Sequence, residues 1–403
     1  ALTTGTLPTF IDISSNFATE EIDEDNLIDQ NNRNGVIFMG DDTWTGLFPG
    51  KFLRQFPSPS FNVLDLDTVD RDVRNRIFFE LQRKDWSLLI AHTLGVDHCG
   101  HKHGMNHPEM TRKLNETNEL IKEIVGVLDE HTVLFVVGDH GMTESGDHGG
   151  DSPSEVEAAM FVYSKKPLQS NLNLKNYRTL NQVDIVPTFA AILGAPIPFS
   201  NIGNVILDAL PRFRNNSKRD EHPWFSAHTV WRNIMQTKNY IDVYSSETFL
   251  FSEEKLKKFD DTFHELRVKV AGISDDKSLD DFLSLAREYF KFLRDSCIEI
   301  WVQFNTTLMS QGLVFSFCTM FFVYLILTGI PVMQMLKILE STFLKFVVIG
   351  NLIASAFAYG LYFFGAVDDF LNTNFIATGM TSIFLLAILV VQNWGEISNT
   401  WYQ

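Results

Sequence analysis

Aspartate and histidine residues cluster in two short stretches of this chain. The first stretch, GVDHCGHKHG, covers residues 95–104, and the second, VVGDHGMTESGDHGG, covers residues 136–150. Six of the 11 histidines lie in these stretches or just before them, namely His92, His98, His101, His103, His140 and His148. Carboxylate and imidazole groups together are donors that zinc and manganese prefer. The clustering therefore predicts a metal site rather than a chance grouping of polar residues.

Five of these residues are the candidate metal ligands: Asp97, His101, Asp139, His140 and His148. These groups, from two separate segments, exceed what one tetrahedral ion needs, so two ions are expected. Cys99 is expected to be a bystander, because the aspartates and histidines can complete the coordination without it. Four neighbours are left with two alternatives, orienting metal-bound histidines or facing a phosphate: His92, His98, Lys102 and His103.

Four apolar runs predict buried strands, over residues 36–39, 86–91, 133–137 and 158–163. Helical patterns between the runs, as over 108–129, favour an α/β fold with a parallel sheet. A later helical pattern within residues 181–203 is expected to stop at Gly194. Polar residues follow each of the first three runs, at 40–42, 92–104 and 138–141, and the segment after the second run is expected to be a loop. Ligands of open α/β sheets bind at the carboxyl ends of the strands. We therefore expect these segments to converge on one crevice.

The last hundred residues are almost free of charge. No charged residue occurs over 301–336, 346–367 or 370–395, and a helix of 22 residues spans about 33 Å, enough to cross a bilayer. The alternative, buried helices of a soluble protein, would need three all-round apolar helices in succession. Helical spacing with many charges over 220–300 predicts a neck. The predicted organisation is a head over 1–215, a helical neck over 216–305 and a membrane region with three spans over 306–403.

The formal net charge is −17, so nucleic acid is excluded as a partner, because phosphate backbones require basic surfaces. Only three cysteines occur, Cys99, Cys297 and Cys318, and Cys318 falls inside a predicted span. A disulfide framework is therefore not expected.

The motifs also carry a resemblance to a known family. HTLGVDHCGHKHG and VVGDHGMTESGDHGGDS, preceded by ALTTGTLPTFID and VIFMGDDTW, resemble the glycosylphosphatidylinositol (GPI) ethanolamine-phosphate transferases of the alkaline phosphatase superfamily. The similarity is greatest to the member that modifies the third mannose. It covers about the first 205 residues, and the motifs are highly specific in combination.

The resemblance implies an alkaline-phosphatase-like head with two zinc ions. Asp97, His101 and His148 would hold one ion, and Asp139 and His140 would hold the other. In the family the second ion is also bound by an aspartate and by a nucleophilic threonine, both located before the ALTTG segment. The catalytic nucleophile is therefore expected upstream of Ala1, and the threonines of ALTTG are poor substitutes because they match a later family segment.

The resemblance further implies a reaction and its partners. Phosphoethanolamine would pass from phosphatidylethanolamine to the threonine and then to a mannose of the GPI precursor glycolipid. The expected location is the endoplasmic reticulum membrane with a lumenal head, and a small membrane-protein subunit is a further candidate partner. Asp41 and Asp42 would face the ethanolamine ammonium, with helix N-capping as the equal alternative, while Lys102 and His103 are candidate substrate contacts.

Other functions are compatible with parts of the sequence. Another metal-dependent phosphodiesterase or phosphatase of the same superfamily would keep the metal ligands, although it needs no multi-span anchor. A sulfatase would favour a calcium site made of oxygen ligands, which the histidines argue against. A catalytically silent membrane scaffold would use the metal only structurally, and closed structural zinc sites favour cysteine.

Loop charges predict the orientation, since Lys337 and Lys345 lie between the first two spans and Asp368 and Asp369 between the last two. By the positive-inside tendency the lysine loop is cytoplasmic and the head lumenal. Three glycosylation triplets, at Asn115, Asn215 and Asn305, agree with this orientation.

We expect Asn115→Gln to remove one glycan from the protein, because only a lumenal asparagine is glycosylated. The measurement is gel mobility with and without glycosidase. Asn118→Gln, in the same segment but outside any glycosylation triplet, is the control and should leave the mobility unchanged. Digestion of the head by protease added outside sealed microsomes would contradict the lumenal orientation.

Overall fold

The computed structural model describes residues 1–7, 21–59, 62–169, 179–212, 222–248, 251–300, 306–340, 343–367 and 370–401. The chain forms two compact units, Ala1–Val302 and Gln303–Gln403. Four residues on which the predicted orientation draws, Asp368, Asp369, Asn215 and Asn305, lie outside the described residues. The division of the first unit into head and neck stays a prediction.

The first unit alternates strands and helices and then becomes helical. In chain order its elements are α1 (Leu27–Asn31), β1 (Val36–Asp41), α2 (Thr43–Leu47), β2 (Arg54–Ser58), α3 (Thr68–Arg83), β3 (Leu88–His92), α4 (Gly95–His103), α5 (Pro108–Val127), β4 (Val133–Val137), α6 (Pro153–Val156), β5 (Met160–Ser164), α7 (Ile185–Leu193), α8 (His222–Thr248), α9 (Glu253–Ala271) and α10 (Asp276–Ile300), with 3₁₀ helices at Asn32–Asn34, Gln182–Asp184 and Leu207–Ala209.

A three-stranded parallel sheet has β1 at its centre, in the order β2-β1-β3. Every residue of β1 is buried, as its continuous apolar run predicts. Gly40 pairs with His92 on one side and with Pro57 on the other, so the three strands end at the same edge. The predicted α/β class with a parallel sheet is confirmed.

The strands β4 and β5 differ from the expectation of one parallel sheet. Within the described residues they form a separate two-stranded sheet and run antiparallel. The connection between them, residues 138–159, contains the four-residue α6 and a glycine-rich loop. Parallel neighbours need a crossover, usually a full helix. Because this connection lacks one, the chain turns back on itself.

Strand β2 was not among the predicted strands. Its sequence, RQFPS, has one large apolar residue, and its burial alternates instead of being continuous. Its proline is tolerated because β2 is an edge strand of the sheet. Arg54 holds it in place by donating two hydrogen bonds to Glu80, at 3.0 and 2.6 Å, and two to Asp85, at 3.0 and 2.7 Å.

Helices α3 and α5 cover the sheet with apolar stripes. Ile37 and Met39 of β1 pack in one core cluster with Val73 and Ile77 of α3. Leu120, Ile124 and Leu128 complete this core cluster. Residues four apart lie on one helix face, so each helix presents a single face to the strands. The sheet is thereby fixed against the helices that follow β2 and precede β4.

Two segments show how local signals set helix boundaries. Residues 92–104 were expected to form a loop, whereas the structure shows that Gly95–His103 is a helix. The histidine content and flanking glycines obscured its periodicity. The helix α7 ends as predicted at Gly194, which adopts a left-handed conformation with φ 67°.

The helices α8, α9 and α10 form the largest core cluster of the first unit. Phe259, Phe282 and Phe290 are fully buried in it. Val183 and Ile202, which flank α7, pack in the same cluster. The predicted helical neck therefore shares a core with the residues around α7.

The second unit contains α11 (Thr306–Gly329), α12 (Val332–Glu340), α13 (Phe343–Phe363), α14 (Phe370–Gln392) and α15 (Trp394–Trp401). Within the described part of this unit, three segments are long and apolar enough to cross a membrane: Met309–Gly329, Lys345–Phe363 and Thr373–Gln392. These match the three predicted spans. Pro331 follows the first of them, and α12 begins there as a separate helix.

We expect Arg54→Ala to lower the free energy of unfolding of the first unit by about 3 kcal/mol, because it leaves the buried Glu80 carboxylate without its cation. The measurement is thermal or denaturant unfolding followed by tryptophan fluorescence. Arg83→Ala is the matched control, since the one ion pair of Arg83 among the described residues is with the exposed Asp85, at 3.4 Å, and the variant should cost less than about 1 kcal/mol. Equal losses in the two variants would show that β2 does not depend on Arg54.

Candidate metal centre

Asp97 lies at the centre of a group of imidazoles. Its Oδ1 atom is 3.6 Å from His148 Nε2 and 4.0 Å from His140 Nε2. Its Oδ2 atom is 3.6 Å from His101 Nε2. Asp139 Oδ2 lies 3.7 Å from His140 Nε2. The structure thus brings together all five candidate ligands, which we call the Asp/His cluster.

The spacing and the bonding of these atoms fit a metal ion. Ligand atoms bound to a tetrahedral ion at about 2.1 Å are about 3.4 Å apart, close to the separations around Asp97. The Oδ1 atom of Asp97 is buried and has no hydrogen-bond partner among the described residues. An unpartnered buried carboxylate oxygen is costly, and a cation between Asp97, His140 and His148, whose donor atoms lie within 4.8 Å of one another, would remove that cost.

The imidazoles present the correct nitrogen. His140 Nδ1 lies 2.9 Å from the carbonyl oxygen of Gly141, so Nδ1 carries the proton and Nε2 keeps a free lone pair. Burial is the main cause that lowers the pKa of His148, helped by His140 and opposed by Asp97. The neutral form, the one that binds metals, is therefore favoured. The two rings stack with their centroids 3.9 Å apart.

Three elements supply the Asp/His cluster. Helix α4 places Asp97 and His101 on one face, because residues four apart are neighbours on a helix. Asp139 and His140 follow the end of β4, and His148 lies in the glycine-rich loop after it. The side chain of Asp97 is 30% exposed and those of the three histidines are 32–33% exposed. The site is therefore open enough to admit a substrate.

Backbone contacts fix the loop against helix α4. Gly146 has φ 95° and lies so close to Gly100 that a Cβ atom would overlap its carbonyl oxygen. A Cβ atom on Gly100 would in turn overlap the sulfur of Met142. Met105 N donates to the carbonyl oxygen of Glu144 at 3.2 Å. These contacts determine the distance between His148 and the ligands on α4.

Two of the histidines with open roles have contacts that define them. His92 Nδ1 accepts a hydrogen bond from the indole of Trp44 at 3.1 Å. Because an indole can only donate, this nitrogen is unprotonated and forms no ion pair with Asp41, 3.6 Å away. His98 is buried, and its Nδ1 lies 2.9 Å from the carbonyl oxygen of Asp65. It therefore anchors α4 rather than reaching the Asp/His cluster.

The candidate substrate contacts lie at several places around the sheet edge. Asp41 accepts hydrogen bonds from the amide and hydroxyl of Thr43, both at 2.8 Å. Asp42 precedes α2 and makes no capping bond with its side chain. Asp41, which accepts from the first amide of α2, therefore takes the N-capping role. Lys102 donates to the carbonyl oxygen of Leu64 at 3.1 Å, and His103 stacks on the ring of His107. Their contacts with substrate stay predictions.

Burial makes Cys99 a poor candidate for a metal ligand and Thr4 a poor candidate for the nucleophile. Cys99 is fully buried with Leu66 and Met110, and burial is the main cause that raises the pKa of its thiol. A thiolate ligand is therefore disfavoured. Thr4 is also buried, with its hydroxyl 2.8 Å from that of Thr6, so it is poorly placed to attack a lipid phosphodiester.

One supporting residue could not be found from the sequence. Gln182 Nε2 donates to the carbonyl oxygen of Asp139 at 2.6 Å and so holds the end of β4 next to the Asp/His cluster. Gln182 is distant from Asp139 in the chain and belongs to no motif, so no local signal marks it.

Comparisons with known proteins cover the segment that contains the Asp/His cluster. A family model described as type I phosphodiesterase / nucleotide pyrophosphatase matches residues 24–184, which include the Asp/His cluster. The chain is 41% identical over 323 residues to the Homo sapiens protein named GPI ethanolamine phosphate transferase 3, catalytic subunit. It is 36% identical over 326 residues to GPI ethanolamine phosphate transferase 3 of Saccharomyces cerevisiae. Each match covers 77% of this chain.

The chain is a homologue of the GPI ethanolamine phosphate transferases. The predicted resemblance is thereby confirmed. A match to GPI ethanolamine phosphate transferase 3 of Eremothecium gossypii extends over 99% of the chain at 33% identity. The chain spans 29%, 30% and 40% of the human, Saccharomyces and Eremothecium transferases. No solved structure shows a significant match.

We expect Gly146→Ala to destabilise the first unit more than Gly149→Ala does. The two glycines have nearly the same backbone, with φ 95° and 97°, so each variant carries a similar strain of about 1–2 kcal/mol. Only Gly146 faces the backbone of α4, whereas a Cβ atom on Gly149 would meet nothing within 4 Å. Thermal unfolding of the two variants tests this. Equal midpoints would mean that the contact between the loop and α4 is not tight.

Proposed function

We propose that this chain contains the catalytic head of a transferase that moves phosphoethanolamine from phosphatidylethanolamine to a mannose of the GPI precursor, the third mannose by the resemblance of its motifs. The observation that supports this most directly is the buried Oδ1 atom of Asp97 beside the imidazoles of His140 and His148, with His101 at the other carboxylate oxygen. The homology to GPI ethanolamine phosphate transferases supplies the reaction class.

The metals proposed for the site are two zinc ions. By the resemblance, Asp97, His101 and His148 would hold one, and Asp139 and His140 would contribute to the other. His140 Nε2 lies between the two groups, 4.0 Å from Asp97 Oδ1 and 3.7 Å from Asp139 Oδ2. Such ions neutralise a phosphodiester and lower the pKa of a coordinated hydroxyl. Asp97 would bind the cation through its buried Oδ1 atom. The Gly141 carbonyl oxygen binds His140 Nδ1 and so leaves His140 Nε2 free to bind the metal.

The covalent step follows from the same proposal. A threonine hydroxyl attacks the phosphorus of phosphatidylethanolamine, and diacylglycerol leaves with the proton. A mannose hydroxyl then attacks the phosphorus of the phosphoethanolamine-threonine, the bond to the threonine oxygen breaks, and the threonine leaves with the mannose proton. We assign the threonine to a position before Ala1, because the family motif that carries it precedes the ALTTG segment.

The membrane setting suits this pair of substrates. Both are lipids, and three helices of the second unit are long and apolar enough to cross a membrane. We propose the endoplasmic reticulum membrane, with the first unit lumenal. The printed name of the human relative, a catalytic subunit, supports assembly with a small membrane-protein subunit.

A second candidate function is hydrolysis by a metal-dependent phosphodiesterase. It is favoured by the family model for type I phosphodiesterases and nucleotide pyrophosphatases, which spans all five residues of the Asp/His cluster. In that case water, rather than a mannose hydroxyl, would accept the phosphoryl group. The two functions share the metal centre and differ in the acceptor.

We expect Asp97→Asn to reduce both bound zinc and the transfer rate by more than about 100-fold, because it removes the central charged ligand and exceeds what the loss of an outer partner costs. Metal content is measured by mass spectrometry. Transfer is measured in membranes containing the full-length protein, with labelled phosphatidylethanolamine and GPI precursor.

Asp280→Asn is the control, since Asp280 is exposed on α10, and it should behave like the parent protein. Zinc retained at the parental level in Asp97→Asn would refute the metal centre. Zinc loss together with release of free phosphoethanolamine by the parent, without transfer to mannose, would favour the phosphodiesterase.

A further inference from the structure

We infer that Asp70 and Lys113 are positioning residues that set the location of helix α4, and with it the metal ligands Asp97 and His101. The inference rests on the proposed metal centre. Neither residue lies in the two motifs that carry the ligands, and the link between them and the Asp/His cluster is made by the fold.

Asp70 holds the first turn of α4. Its Oδ1 atom accepts hydrogen bonds from the amides of Leu94 and Gly95, each at 3.0 Å. These amides belong to the end of the helix where donors lack partners within it, and the carboxylate also suits the positive end of the helix dipole. Asp97 follows two residues later.

Lys113 fixes Asp70 from the neighbouring helix α5. Its ammonium lies 2.8 Å from Asp70 Oδ2, and the lysine side chain is only 1% exposed. The backbone of Gly95 packs tightly against this ion pair, because a Cβ atom on Gly95 would overlap both Asp70 and Lys113. The first turn of α4 is therefore seated directly against the ion pair.

The two other carboxylates that contact Lys113 are also paired with a second cation, Arg112. The Lys113 ammonium lies 3.3 Å from Asp67 and 3.0 Å from Glu116. Arg112 contacts both of these carboxylates, at 2.9 and 2.7 Å. Among the described residues, Lys113 is the cation that pairs with Asp70. Loss of Lys113 would thus act mainly on Asp70.

Stability alone is a weak reason for this burial. Removing an ammonium from water is expensive, and replacing buried charges by packed apolar groups is often neutral or stabilising. The arrangement does provide a fixed position for the start of α4. A ligand displaced by about 1 Å is enough to weaken a reaction strongly, so a positional role accounts for the pair.

The test is zinc affinity of the full-length protein, measured by competition with a chelator, in Lys113→Met and Asp70→Asn. We expect about 10- to 100-fold weaker zinc binding in each, the range seen for outer-shell partners of metal ligands. Amide hydrogen exchange at Leu94 and Gly95 should accelerate in Lys113→Met. The matched control is Lys122→Met, which removes an exposed lysine that pairs with Glu119 on the same helix and should leave both readouts unchanged.

Parental zinc affinity in either folded variant would overturn the inference, even if the thermal midpoint fell. If Lys113→Met does not fold, Asp70→Asn decides. Its side chain is partly exposed, and an amide oxygen can still accept the two amides, but the variant loses the ion pair with Lys113 that fixes their position. A parent protein that binds no zinc refutes the proposed metal centre instead. The two failures are therefore distinguishable.

Discussion

A carboxylate oxygen removed from water has to meet a positive charge or hydrogen-bond donors, and the site is organised around one such oxygen, Oδ1 of Asp97. The nearest polar atoms of the Asp/His cluster are the Nε2 atoms of His148 and His140, which can bind a cation when unprotonated. The helix, the end of β4 and the glycine-rich loop all act to bring these atoms together. The close packing of α4 on the loop keeps these nitrogen atoms next to Asp97 Oδ1.

The parts of this arrangement that depend on local sequence could be predicted. The residue types of Asp97, His101 and Asp139 marked them as candidate ligands, and Asp139 was correctly placed after an apolar run, although the helix that carries Asp97 and His101 was not predicted. The buried strand β1 and the end of α7 at Gly194 could also be predicted from the sequence. In each case one short segment carries the whole physical signal.

What could not be predicted depends on contacts between distant segments. Strand β2 has too little apolar surface to be recognised, and it is held by Arg54 reaching Glu80 and Asp85. Lys113 resembles any other charged residue on a helix until the fold buries it against Asp70. Strand β5 runs antiparallel to β4 because the connection between them lacks a full crossover helix. Such features arise from the assembled chain, not from a stretch of it.

The distribution of the ligands along the chain also has a consequence for biosynthesis. A ribosome makes Asp97 and His101 first, and the whole of α5 and β4 must follow before His140 and His148 exist. The nascent carboxylate has only one of its three imidazole neighbours during that interval. In the proposed metal centre, a stable ion would therefore be acquired only after the loop has closed on α4, and metal loading would be a late event that depends on the supply in the compartment where the head completes folding.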